Sequence, residues 1–160
     1  MKVMIAVDEL ELGKQLAEFT ARHQWPGPVE FILVHVLEDI PEGNVKMVLP
    51  QEVLEDIEKD HVGQAKAMVR KVGLTLRDAF HTTDVTELVM HGKPAQAILQ
   101  TASRWQPDFI VVGAHGRHGF DRLVLGSVSE AIAANATCPV IVVRPTKAHY
   151  PAKPVAVPAV

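Results

Sequence analysis

Residues Val112 to Glu130 read V-G-A-H-G-R-H-G-F-D-R-L-V-L-G-S-V-S-E, and they continue a run of apolar residues. In this stretch two residues separate Gly113 from Gly116, and nine more lead to the Gly-Ser pair at Gly126 and Ser127. The pattern predicts a strand, a glycine-lined loop and the start of a helix. Such an arrangement gathers backbone N–H groups at a helix N-terminus, where proteins bind phosphate without many cationic side chains.

On both sides of this stretch the chain alternates apolar runs with amphipathic segments. Apolar runs predict five strands, at residues 3–7, 31–37, 85–90, 109–112 and 140–143. Between them we predict four helices, at residues 10–21, from Pro50 to near Gly73, from Pro94 to the Pro107–Asp108 pair, and from Ser127 to about Ala134. Regular alternation of this kind predicts a parallel sheet with right-handed crossovers and helices on both faces.

Length and charge narrow the class of protein. The 160 residues, 48% of them hydrophobic, suffice for one sizeable core, so we predict one domain over 1–145 followed by a proline-containing tail over 146–160. The formal charge of -3 provides no basic surface for nucleic acid or an anionic membrane. We therefore expect neither partner.

The single cysteine and the N-terminal sequence bear on location. Cys138 lies beside an apolar run and has no second cysteine to pair with in the chain, so we expect a buried thiol. The first apolar run is too short for a signal peptide, and no segment has the roughly 18 apolar residues of a spanning helix. We expect a cytoplasmic protein.

Topology predicts where a ligand would bind. In open parallel sheets, ligands bind beyond the carboxyl ends of the strands, where the strand order reverses. Asp8 follows the first strand and the glycine loop follows the fourth, so both lie at that edge. If these two strands are neighbours, they flank one crevice.

Several motifs along the chain occur in the order in which one known family carries them. They are Asp8 after the first strand, H-V at 35–36, G-K-P at 92–94, D-F-I-V-V-G-A-H-G-R at 108–117, and C-P-V-I-V-V at 138–143. With the glycine spacing, they resemble the ATP-binding branch of the universal stress protein family. The resemblance implies a Rossmann-like, adenine nucleotide alpha hydrolase-like sheet with strand order 3-2-1-4-5.

The same resemblance implies a role for individual residues in holding ATP, with or without Mg²⁺. Asp8 would approach the ribose or the metal ion. Val36 would line the adenine, and the backbone at Val112 and Gly113 would complete the pocket for base and ribose. The phosphates would lie along Gly116 and Arg117 and reach the N–H groups of Gly126, Ser127 and Val128 and the Ser127 hydroxyl.

Simpler interpretations of some of these residues stay open. Ser127 and Glu130 also match a helix capping box, S-x-x-E, which needs no ligand. Asp8 could cap the helix that follows it. His115 and His118 suggest a metal pair, but no cysteine or carboxylate completes a recognisable ligand set.

Two features argue against fast catalysis. The chain lacks the G-x-x-x-x-G-K-[ST] sequence of P-loop hydrolases, and it lacks any Ser, His and Asp set at motif spacing.

The residues after Asp8 differ from the family pattern. Glu9 and Glu11 replace the small residues that usually follow the first-strand aspartate in the family, which could weaken anion binding unless both face solvent.

We therefore expect a regulatory protein that binds ATP and hydrolyses it slowly or not at all. The resemblance adds a homodimer formed through the last strand, Val140 to Val143, and we hypothesise that nucleotide orders the loop over 114–125. Two alternatives remain, a nucleotide-independent dimeric interaction module of the stress response and, with less support, an enzyme that transfers an adenylyl group.

Overall fold

The computed structural model describes residues 1–38, 50–81, 84–114 and 125–144. These residues form one parallel sheet with the order β3-β2-β1-β4-β5, which confirms the predicted fold class and strand order. The strands are β1 (Lys2–Ala6), β2 (Glu30–Leu37), β3 (Val85–His91), β4 (Phe109–Gly113) and β5 (Val140–Val143). The helices are α1 (Leu10–Arg22), α2 (Gln51–Phe80), α3 (Pro94–Trp105) and α4 (Ser127–Asn135).

Helices cover both faces of the sheet, as the alternation of elements predicts. Successive residues of a strand point to opposite faces. Val3 and Ile5 of β1 therefore pack with α1 and α2, whereas Met4 packs with α3 and α4. All three side chains are fully buried, so β1 lies at the centre of two apolar layers.

Helix α2 is longer than predicted. We expected it to end near Gly73, but it continues to Phe80 and ends at His81, which has the left-handed backbone conformation with φ of 48°. Gly73 lies inside the helix, where a Cβ atom would approach Oε1 of Glu87 to 2.7 Å. Glycine is present here because α2 packs closely against β3, and it does not mark a helix end.

Aromatic side chains gather at the amino ends of the strands. Trp25, in the connection before β2, stands edge-on to Phe109 of β4 with the ring centroids 5.6 Å apart. The Nζ atom of Lys2 lies 5.3 Å from the centroid of the Trp105 ring. Both tryptophans of the chain thus lie at the end of the sheet opposite to its carboxyl edge.

Cys138 precedes β5 and is half-buried, less than the full burial expected from its apolar neighbours. Burial raises the pKa of its thiol, and the negative charge of Asp108 raises that pKa further. Among the described residues, no helix combines the length and apolar character needed to cross a membrane.

Candidate functional site

β1 and β4 are hydrogen-bonded neighbours that run parallel, with Val3, Met4 and Ile5 opposite Phe109, Ile110 and Val111. Their carboxyl ends therefore lie side by side, which confirms that the two strands flank one position on the sheet edge. We call this place the β1–β4 rim and define it by Asp8, Ala114 and the first turn of α4. It is the topological switch point, since β1 connects onward to β2 on one side while β4 lies on the other.

The β4 side of the rim is held together by backbone hydrogen bonds. The N–H of Gly126 donates to the carbonyl oxygen of Ala114 over 2.7 Å, and the N–H of Ala114 donates to the carbonyl oxygen of Val143 over 2.8 Å. The hydroxyl of Ser129, a buried side chain, lies 3.0 Å from the Ala114 oxygen and 2.8 Å from that of Gly126. These contacts place the N-terminus of α4 at the end of β4.

Among the described residues, no side chain caps the start of helix α4. Its N-cap residue is Gly126, which has no side chain to accept a capping hydrogen bond, and Ser127 is the first helical residue. The capping box predicted for Ser127 and Glu130 is therefore wrong. Because the N–H groups of a first helical turn have no partner within the helix, those of Ser127 and Val128 point out of the N-terminus as donors. The N–H of Gly126, by contrast, donates to Ala114 in this arrangement.

Gly113 and Gly126, the two glycines of the site that the structure describes, have ordinary backbone angles. Among the described glycines, positive φ occurs only at Gly27 and Gly92, whereas Gly126 has φ of -64°. Gly113 instead makes room for α1, because a Cβ atom there would approach Cδ2 of Leu12 to 2.6 Å. Close packing of α1 on β4 accounts for this glycine without any ligand.

The β1 side of the rim is held by a histidine. The N–H of Val7 donates to the carbonyl oxygen of Val34 over 2.8 Å, so β1 remains attached to β2 one residue beyond its last strand residue. Nδ1 of His35 lies 2.7 Å from the carbonyl oxygen of Val7, and only 3% of this histidine is exposed. Asp8 follows, half-buried, in the bend that leads to α1.

The surroundings of Asp8 exclude one simpler role for it. The N-cap residue of α1 is Glu9, whose side chain makes no capping hydrogen bond, so Asp8 is not the N-cap residue of this helix. Glu9 and Glu11 are both exposed. Their carboxylates face solvent, which is the arrangement least unfavourable to an anion at the rim.

The remaining predicted site residues divide into two groups. The side chains of Val36 and Val112 are 9% and 3% exposed and belong to the core under α3 and α4, so any contact with a base at these residues would come from their backbone. Gly116 and Arg117 lie outside the described residues, as do His115, His118 and the tail over 146–160.

Grooves formed by the described residues lie away from the rim. One of about 500 Å³ runs between α2 and β3, and another of about 370 Å³ lies at the amino ends of β2 and β3. Residues 39–49 follow β2 and residues 115–124 follow β4, so both segments start at the carboxyl edge and lie outside the described residues.

Two residues of the rim were missed as functional candidates from the sequence, His35 and Ser129. A histidine within the otherwise apolar run F-I-L-V-H-V-L is the signal that could have identified the first. Ser129 gives a weaker signal, because a serine in the first turn of a helix is common. Both side chains are polar and yet almost fully buried, and this burial can be seen only in the folded structure.

Comparison with known proteins agrees with this architecture. Residues 1–144 match the model of the universal stress protein family. The chain belongs to this family. A universal stress protein from Methanocaldococcus jannaschii is 27% identical over 146 residues, which cover 91% of this chain and 83% of the relative. One from Thermus aquaticus is 29% identical over 142 residues, which cover 89% of this chain and 97% of the relative.

Solved structures share the fold. A hypothetical protein whose biochemical function was assigned from its structure superposes with a TM-score of 0.75 at 24% identity, covering 91% of this chain and 96% of its own. A universal stress protein family member from Arabidopsis thaliana, solved with AMP bound, has a TM-score of 0.65 at 21% identity and covers 96% and 97%. Another universal stress protein, solved in complex with cAMP, has a TM-score of 0.64 at 21% identity and covers 89% and 96%.

Proposed function

We propose that this universal stress protein is a regulatory protein that binds ATP at the β1–β4 rim and hydrolyses it slowly or not at all. Family membership and the adenine nucleotides bound to proteins of the same fold support a nucleotide ligand. ATP, rather than a monophosphate, is our inference from the glycine spacing and from the helix that begins at the rim.

One observation carries the proposal most directly: the N-terminus of α4 lies beside the end of β4, and no described side chain caps it. Helix N-termini attract anions because unpaired N–H groups and the helix dipole act together. The N–H groups of Ser127 and Val128 and the hydroxyl of Ser127 would therefore hold the terminal phosphates. Gly116 and Arg117, which precede this helix in the sequence, would lie along the chain of phosphates.

Asp8 supplies the acidic oxygen atoms of the proposed site. Mg²⁺ in nucleotide sites is commonly held by one or two carboxylates together with phosphate oxygens. One half-buried carboxylate across the rim from the phosphate-binding helix fits this donor set. We propose Asp8 as the contact to the ribose or to a bound Mg²⁺, while the backbone near Val36, Val112 and Gly113 would bind the base and ribose.

Slow turnover follows from the groups that the sequence lacks. P-loop enzymes bind the terminal phosphates with a lysine of their motif, and no lysine occurs between Gly113 and Gly126. Bound ATP would then persist and act as a signal. We propose that its occupancy controls association with other proteins through the segment over 114–125.

The site is tested by placing a negative charge on the first residue of α4. Ser127→Glu should weaken binding of ATP with Mg²⁺ at least about tenfold in calorimetry, because the carboxylate repels the phosphates. The fold should be retained, since acidic residues stabilise helix N-termini by about 0.3–1 kcal/mol. Gln96→Glu is the matched control, because it adds the same charge to the first turn of α3, an exposed position beyond β3.

The outcomes separate the functions under consideration. Unchanged affinity in Ser127→Glu would show that nucleotide binds elsewhere. No heat from the wild-type chain at millimolar ATP with Mg²⁺ would favour the nucleotide-independent interaction module. Tighter binding of ATP than of AMP is expected, because the terminal phosphates contact α4.

A further inference from the structure

Few polar side chains are buried in the described residues, and they are Thr20, His35 and Ser129. Thr20 lies within α1, where its hydroxyl donates to the carbonyl oxygen of Leu16 over 2.8 Å. The other two lie at the rim. Burying a polar group is costly unless it is hydrogen-bonded, so the position of each bond indicates what the side chain does for the fold.

His35 and Ser129 bond to equivalent atoms on the two sides of the rim. Nδ1 of His35 contacts the carbonyl oxygen of Val7, the first residue after β1. The hydroxyl of Ser129 contacts the carbonyl oxygen of Ala114, the first residue after β4. Each strand is therefore held by a side chain at the point where the chain leaves the sheet toward the proposed ligand.

The contact fixes the protonation of the imidazole. A carbonyl oxygen only accepts hydrogen bonds, so Nδ1 of His35 must carry a proton. In the neutral ring that leaves Nε2 without a proton. This hydrogen bond attaches β2 to the residue directly before Asp8, and so restricts where the Asp8 backbone can lie.

Ser129 acts on the other side through two carbonyl oxygens. Its hydroxyl lies within hydrogen-bond distance of Ala114 and of Gly126, the N-cap of α4. The same Ala114 oxygen also accepts the N–H of Gly126. Ser129 thus links the end of β4 to the helix start whose N–H groups would face the phosphates.

We propose that His35 and Ser129 are positioning residues for the nucleotide, which set the placement of Asp8 and of the α4 N-terminus across the β1–β4 rim. The inference rests on the proposed function of this rim. Neither side chain touches the ligand. Each acts through a backbone carbonyl, and loss of either bond loosens one side of the site.

Isosteric variants separate positioning from packing at His35. The side chains of leucine and asparagine have the same number of heavy atoms and the same branching at Cγ, and both are shorter than imidazole, but only asparagine can place an N–H donor near the former Nδ1 position. We expect both to lower the melting temperature. Affinity for ATP with Mg²⁺ should fall about threefold to tenfold in His35→Leu, because the nucleotide must then fix a side of the site that the hydrogen bond had already fixed, and by less than about threefold in His35→Asn.

For the hydroxyl of Ser129 the variant is Ser129→Ala, with Thr20→Val as the matched control. Both remove a buried hydroxyl that donates to a backbone carbonyl, but Thr20 lies in α1 away from the rim. Both should lower stability. Only Ser129→Ala should weaken nucleotide binding, by about threefold to tenfold.

A spectroscopic measurement tests the His35 geometry without any ligand. Nitrogen-15 NMR of the imidazole should show the neutral ring of His35 protonated on Nδ1. An Nε2-protonated ring would overturn the assignment of His35. If the wild type binds nucleotide and His35→Leu and Ser129→Ala bind it with the same affinity, the positioning role is refuted but the proposed function is not. If the wild type binds no nucleotide, both the proposed function and this inference are refuted.

Discussion

The sheet has two edges, and they differ in how their unpaired backbone is covered. At β3, Nη1 of Arg77 from α2 pairs with Oε1 of Glu87 at 2.5 Å, while Nη2 donates to the carbonyl oxygen of Val85 over 2.8 Å. At β5, the four residues Val140 to Val143 are half-exposed and contain no charged side chain. A charged group from a helix thus protects the first edge.

Hydrogen bonding identifies which atoms each edge leaves open. The carbonyl oxygens of Pro139 and Val143 accept hydrogen bonds from Ile110 of β4 and from Ala114 just after it. The backbone N–H and C=O groups of Val140 and Val142 therefore face away from the sheet. An unprotected edge invites pairing with another strand, and charged side chains are one means of preventing it. The comparison therefore favours β5 over β3 as the surface of the homodimer that we propose.

A proline at an outward-facing amide of β5 should have the largest effect on the difference between the two edges. Val142→Pro removes an N–H that makes no hydrogen bond within the sheet, and edge strands tolerate proline at such positions. If two copies pair through β5, the loss occurs in both, and the dimer dissociation constant should rise about a hundredfold. Sedimentation velocity over a concentration series measures it.

The matched control is Val89→Pro on the opposite edge. The carbonyl oxygen of Asp84 accepts a hydrogen bond from β2, and the N–H of Gly92 donates one to β2. Because the backbone groups of a strand alternate in direction, the N–H of Val89 points away from the sheet. This variant should leave the association state unchanged. Dissociation by Val89→Pro, with Val142→Pro still dimeric, would assign the interface to β3.

Removing the charge of Arg77, which protects the β3 edge, should have a smaller effect, and it acts on the stability of the protein. Arg77→Ala loses two hydrogen bonds that are only partly exposed to water, and we expect the free energy of unfolding to fall by about 1–3 kcal/mol in urea titrations. Arg22→Ala is the control, because Arg22 and Glu18 pair at 3.8 Å with side chains 82% and 55% exposed. That pair should contribute less than about 1 kcal/mol. Equal losses in both variants would refute a protected edge.

The smallest expected effect is on the reactivity of Cys138, just before β5. The thiolate is the reactive form, and a raised pKa leaves less of it at a given pH. Alkylation by iodoacetamide at pH 8 should therefore be slower in the folded protein than in the unfolded chain. Asp108→Asn should speed it modestly, because it removes a negative charge that disfavours the thiolate. A faster reaction in the folded protein would contradict the cause assigned here.

Much of the fold could be predicted because strands and helices follow different apolar periods. Boundaries of β5 and the start of α4 match the prediction. The end of α2 could not be predicted, because a glycine in sequence resembles a helix terminator. Only the fold shows that Gly73 is needed where α2 packs against β3. Long-range packing, which a local pattern does not contain, decided that position.

Prediction of the site was less complete for a similar reason. The adjacency of β1 and β4 followed from the strand order that the family resemblance implies, and the family followed from motifs spread over most of the chain. The capping box at Ser127 was wrong, because Gly126 is the N-cap residue and Ser127 is already the first residue of the helix. His35 and Ser129 were missed, since their partners are backbone atoms 28 and 15 residues away.

The position of Trp25 and Trp105 at the amino ends of the strands has a practical consequence. The protein carries both of its tryptophans at one end of the sheet and its proposed ligand at the other. Their emission therefore reports unfolding with little direct quenching by an adenine ring. A variant unfolded in the presence and absence of ATP can be followed by the same optical signal, without any added dye.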